Sequence, residues 1–209
     1  MSPEGVVAGC ALCGASAPLR RSHIIPRFVS RALQVPDGPT RALLCGGCED
    51  RFSAHESTFA RVVFHPLLAA GRVIAKYDKW LLQFSVSVCW RILEERLADS
   101  APDTCRETWR QFLASQRSDL GAHPVHLLLA DRNAPPETIA MEVVQSDRES
   151  FVYAKLGPVI LFGLSADSDA GSWQGTRVHV EGKIKPRETL IPARYRDYLL
   201  SRAGRPATA

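Results

Sequence analysis

The chain has 209 residues and carries 26 Lys and Arg against 22 Asp and Glu, a formal net charge of +4. Apolar residues make up 45% of it, which excludes an unstructured chain, and no apolar run reaches the roughly eighteen residues of a membrane span. The length suits one large domain or two small ones, and the start, MSPEGVVAG, lacks the basic and apolar regions of a secretion signal, so a cytoplasmic location is expected.

Two Cys-x-x-Cys pairs come first: Cys10 with Cys13 in CALC, and Cys45 with Cys48 in LLCGGC. Four thiolates in two such pairs match the tetrahedral preference of zinc, and a reducing compartment favours metal over disulfide. A structural zinc on these four cysteines is therefore expected. Between the pairs lies RRSHIIPRF, with a single histidine, His23, and room for a hairpin or loop before the second pair. Arg20, Arg21, Arg27, Arg31 and Arg41 stand here against one acid, Asp37. Such a cluster suits a phosphate backbone, and it also fits a solvated face.

From Glu49 the spacing is helical. Phe52, Phe59, Val62 and Val63 mark the apolar side of EDRFSAHESTFARVVF, and Pro66 ends or bends the helix. Glu49, Ser53 and Glu56 share one face at i, i+4 and i+7, with His55 one residue off it, beside Phe52 and Phe59. A second helix is predicted over 77–99, with Trp80, Phe84, Val88 and Ile92 as a core stripe, and a shorter one over 104–115. Cys89 and Cys105 each stand alone in these helices and are expected to be buried thiols.

The last third reads as strands over 123–130, 138–145, 150–156, 159–165 and 176–182, with a Gly157-Pro158 turn and a loop over 167–176. A helix over 191–203 closes the chain, before a disordered tail at 204–209. Trp173, Arg177, Lys183 and Lys185 fit a strand with a solvated polar face better than a surface for stacking nucleic acid. His65, His123, His126 and His179 lack further ligands at metal spacing and are expected to be structural or on the surface. The expected fold class is α+β: a zinc module over 1–66, a helical segment over 67–120 packed on it, and an antiparallel β-rich portion over 121–209.

The order CALC, SHIIP, LLCGGC and a helix from Glu49 resembles the four-cysteine branch of the HNH endonucleases, over about residues 8–65. The resemblance implies a treble-clef, ββα-metal module in which zinc is structural. It implies metal-dependent hydrolysis of DNA phosphodiester bonds, with His23 as general base. Imidazole suits that task because its unperturbed pKa of ~6.5 leaves it able to accept a proton at pH 7. A catalytic Mg2+ or Mn2+ would then be held at Glu49, with Ser22, Glu56 and His55 as further positions for it. Glu49 stands where the family often has Asn, Ser22 where it commonly has Asp, and Thr40 where it has its middle Asn. Arg20, Arg21, Arg27 and Arg31 would hold the nucleic-acid backbone. A single such site cuts one strand, so double-strand cleavage suits a homodimer. The alternative is a treble-clef zinc module that binds nucleic acid or a protein partner without catalysis.

Overall fold

The computed structural model describes residues 9–98, 103–129, 139–145, 150–165, 173, 175–185 and 192–203. Strands β1 (Leu19–His23) and β2 (Thr40–Cys45) form an antiparallel ribbon, with Ser22 opposite Arg41 and His23 opposite Thr40. A helix the sequence pattern did not reveal, α1 (Arg27–Leu33), fills the connection between them. Pro26 precedes it with φ −53°, already close to a helical value, and Gln34 stops it in the left-handed region at φ 56°.

Helix α2 (Gly46–Phe59) begins directly at the second cysteine pair. A cysteine turn, a β-ribbon and a helix carrying the last ligand together make the treble-clef order. A π-helical turn, Ala60–Phe64, leads into α3 (His65–Ala70), so Pro66 bends the chain without ending the helix. In a straight α-helix the Pro66 ring would meet the carbonyl of Val62, and the wider i→i+5 turn relieves that clash.

Helix α4 (Lys79–Arg96) is the centre of the molecule. Asp78 caps it by accepting a hydrogen bond from the Trp80 backbone N–H at 3.1 Å. It is buried at Leu81, at Leu82 and at every position from Phe84 to Leu93. The predicted stripe is therefore only part of a helix enclosed on all sides. It packs on α2, on α5 (Thr104–Leu113) and on a four-stranded sheet. Phe59 stacks on Phe84 at 3.9 Å, and Phe52 meets Trp90 edge-on.

That sheet contains β4 (Val125–Leu129), β5 (Ile139–Gln145), β6 (Ser150–Leu156) and β7 (Val159–Leu164). Its order is β4-β7-β6-β5, antiparallel throughout, and Gly157 turns β6 into β7 at φ 59°. Strand alternation explains its two cores. Val152, Ala154 and Leu156 join the core that runs from Leu12 through α4 to Ile184. Phe151 and Tyr153 face the other way, against Tyr195 and Tyr198 of the last helix, α6 (Ala193–Ala203).

The strand expected over 176–182 is corrected. Arg177 makes only an isolated bridge to His126, and β8 (Gly182–Ile184) pairs with β3 (Ala75–Tyr77), away from the main sheet. A methyl at 182 would meet the hydroxyl end of the Tyr77 ring and displace it. Trp173 is corrected too. It is buried, stacks on His126 at 4.0 Å and packs on Phe162, so it belongs to no solvated face. The loop expected over 167–176 and the tail over 204–209 lie largely or wholly outside the described residues. No described helix is long and apolar enough to cross a membrane.

Gly163 in β7 abuts the Trp109 indole and the Cys89 thiol, leaving no room for a methyl group. Gly163→Ala is expected to cost about 1–3 kcal/mol by overpacking. Urea unfolding of the variant beside wild type measures this, and an unchanged midpoint would show that the sheet yields there.

Candidate metal centre and the residues around His23

The Sγ atoms of Cys10, Cys13, Cys45 and Cys48 all lie within 4.8 Å of one another. Cys13 and Cys45 sulfurs are 3.8 Å apart. A tetrahedron with metal–sulfur bonds of about 2.3 Å has edges of about 3.8 Å, so the donor set fits zinc in both chemistry and spacing. Cys10 lies in the turn before β1, Cys45 is the residue that opens α2, and Cys48 sits in its first turn.

The surroundings favour thiolates. The Cys45 N–H donates to Cys10 Sγ at 3.3 Å, and Arg51 Nη2 donates to Cys48 Sγ at 3.7 Å. The α2 N-terminus adds the positive end of its dipole. Burial resists ionisation of Cys10, but hydrogen bonds from the backbone of Cys13, Cys45 and Leu12 bring its pKa down to about 7. Cys48 is pushed up, by burial first and then by the neighbouring thiols. A bound dication reverses that penalty, since thiolate ligands are deprotonated on the metal. Cys89 and Cys105 are buried in the core as expected, and desolvation raises both.

Next to this centre, Ser22 and Glu49 come together. Ser22 is wholly buried, and its hydroxyl donates to Glu49 Oε2 at 2.7 Å, linking β1 to the first turn of α2. His23 is the next residue, and its side chain is 26% exposed. Its Nε2 stands 3.8 Å from Asp37 Oδ2. Asp37 also accepts from Ser30 Oγ, and from Arg27 Nε at 2.9 Å. The Ser30 hydroxyl foremost, with Arg27, holds the Asp37 carboxyl below its ordinary range. The sequence showed Asp37 only as the lone acid of a basic stretch. That isolation was the available signal.

The other residues named from sequence are placed differently. Glu56 Oε1 accepts from Arg91 Nη2 at 2.6 Å, and the same guanidinium donates through Nη1 to the His23 carbonyl at 2.7 Å. Arg91 is 1% exposed, so this is an interior ion pair. Nothing in local spacing pointed to it. His55 is half-buried beside Gln83 of α4, and burial lowers its pKa, with the Gln83 hydrogen bond opposing. Arg20 pairs with Asp50 at 2.6 Å on the surface, Arg27 pairs with Asp37, and Arg21 and Arg31 are exposed. Of the remaining histidines, His65 and His179 are exposed, while His123 and His126 are buried. His126 bonds Thr176 at 3.0 Å, and desolvation foremost lowers its pKa to about 3.

The geometry thus gathers four cysteines that could hold a metal ion such as zinc, on a turn, a β-ribbon and a helix, with His23 and Glu49 on the adjoining strand and helix. No protein-family model, curated protein or solved structure matches the chain.

Proposed function

We propose that this protein is a metal-dependent endonuclease of the HNH type that hydrolyses DNA phosphodiester bonds, with cysteine-bound zinc as its scaffold. The observation that carries this reading is the 2.7 Å hydrogen bond from Ser22 to Glu49 beside His23. It joins the residue before the histidine to the residue after the last cysteine, the two places where the resembling family carries metal-binding side chains.

Ser22 and Glu49 offer the hard oxygen donors that Mg2+ or Mn2+ prefers. Such an ion, when bound, supplies charge stabilisation at the scissile phosphate. His23 accepts the proton of the attacking water at Nδ1, the nitrogen turned from Asp37. The Asp37 carboxylate faces the other nitrogen, Nε2, at 3.8 Å. Arg91 fixes the His23 carbonyl and so the backbone that aims the ring. Arg21 and Arg31 meet the phosphates, joined by Arg20 and Arg27 when these leave their surface carboxylates.

Plasmid nicking tests this, with wild type beside His23→Ala and Glu49→Ala, in Mg2+ or Mn2+ and then in EDTA. Wild type is expected to nick only with metal, and each variant to lose about a hundredfold or more while keeping its zinc. A fully active His23→Ala protein would remove the general base. A folded, zinc-loaded wild type that binds plasmid without cutting it would be the non-catalytic module instead.

A further inference from the structure

A cavity of about 260 Å³ lies far along the chain from the cysteines, where β3, β8, β4 and the ends of α3 and α4 meet. Its floor is aliphatic: Leu67, Leu81, Leu127, Val178 and Ile184 are all buried core residues that line it. Its cationic lining is Arg72, Arg177, Lys183 and Lys185. No acidic residue lines it among the described residues. Arg72, Lys183 and Lys185 are exposed and have no carboxylate partner among the described residues.

Arg72, Lys183 and Lys185, three cations without a carboxylate partner among the described residues, repel one another on one small opening above an apolar floor. An anion with an apolar body answers both features. The wall is also built with care. Tyr77 lines the cavity because its ring lies against Gly182, where any side chain would displace it. The β3–β8 pair that holds Tyr77 beside Lys183 joins segments about a hundred residues apart in sequence.

We propose that this cavity binds a small amphipathic organic anion, with a carboxylate or phosphate head at Arg72, Lys183 and Lys185 and an aliphatic body on the leucine floor. At about 30 Å³ per water-sized group, the volume takes roughly eight or nine such groups, which matches a medium-chain fatty carboxylate. A nucleobase fits poorly. Only Thr176 and Tyr77 offer neutral hydrogen-bonding side chains in the lining, and Thr176 is already bonded to His126. The proposal stands apart from the endonuclease reading and survives its failure.

The test titrates octanoate, octanol, inorganic phosphate and adenosine monophosphate into the full-length, zinc-loaded protein, following methyl NMR signals of Leu81, Leu127 and Ile184. Octanoate is expected to shift these methyls and to bind about tenfold or more tightly than each of the other three. Lys183→Glu with Lys185→Glu is expected to weaken octanoate about tenfold, with an unchanged melting temperature, since both side chains are exposed. Leu129→Trp is expected to close the cavity to the same probe. No methyl shift up to ~10 mM octanoate overturns the proposal, because at that weakness the site holds less than a modest ligand's affinity. Equal binding of phosphate or of the nucleotide overturns it too, as a surface that reads only phosphate charge. So does octanoate affinity that ignores the charge reversal. Should Leu129→Trp fail to fold, the lysine pair alone decides.

Discussion

Cys45→Ser is expected to empty the metal site, from about one zinc per chain to none, and to unfold the ribbon and α1 while α4 and the main sheet persist. The elements involved cannot stand alone. β1 has five residues, β2 six and α1 seven, and isolated elements of that size are marginal in water. Leu12, Ile24, Val29 and Leu44 are the large side chains they bury, where the core that continues into α4 begins. The cysteine cluster joins the turn before β1 to the start of α2, beside an Ala11 N–H bond to the Leu43 carbonyl and an Arg110 bond to the Leu12 carbonyl. In zinc-finger peptides the apparent metal-binding energy is about 10–16 kcal/mol, and it appears as folding energy. Losing one of four ligands is therefore expected to exceed what burial of these few side chains supplies. The checks are zinc content, limited proteolysis and amide exchange, with protection lost over residues 10–45 and kept in α4. A variant without zinc that remains protease-resistant there would show that the cysteines are not a structural metal site.

The same experiment reaches the proposed active site. Ser22 belongs to β1 and Glu49 to α2, and the four cysteines lie in the turn before β1, at the end of β2 and in the first turn of α2. A chelator strong enough to remove zinc should abolish nicking even when Mg2+ is resupplied. Removal of Mg2+ alone should be reversed by adding it back. The two metals thus separate by the reversibility of their loss.

The cysteines were legible because metal ligation imposes a spacing that survives in the sequence, and the strands because alternation does. The hairpin was open and α1 was missed for the opposite reason. Their residues are arginine-rich and short in periodicity, and what anchors them is burial of Ile24 and Val29 beside the cysteine cluster, not local pattern. In sequence α4 shows only a stripe, because Trp80, Phe84, Val88 and Ile92 fall four apart, yet Ser85, Ser87 and Arg91 are as buried as Phe84, Val88 and Ile92. Polar residues look solvent-facing in a sequence until their partners are known. Trp173 misled in the same way: a tryptophan among basic residues suggests a surface, and only the sheet shows that His126 and Phe162 enclose it. β8 finds its partner across about a hundred residues, and no local signal carries that distance.

Arg91→Met is expected to destabilise the protein by about 3–5 kcal/mol, because it strands a carboxylate in the interior. The guanidinium is 1% exposed, and it donates to Glu56 at 2.6 Å, to the His23 carbonyl at 2.7 Å and to the Ser87 carbonyl at 3.2 Å. It also lies over the Phe52 ring, 5.6 Å from the centroid. Removing it leaves Glu56, with a side chain only 18% exposed, without its counter-charge. Arg91→Met with Glu56→Met is expected to recover most of the loss, since an interior ion pair is often no better than a well-packed apolar one. Denaturant unfolding of the two single variants and the double closes the cycle. A wild-type midpoint for Arg91→Met would show that solvent reaches Glu56 and that the pair carries no net weight. The double variant asks a second question. Stability restored with nicking still depressed would mean that the bond to the His23 carbonyl aims the imidazole. Stability and nicking restored together would confine Arg91 to balancing Glu56.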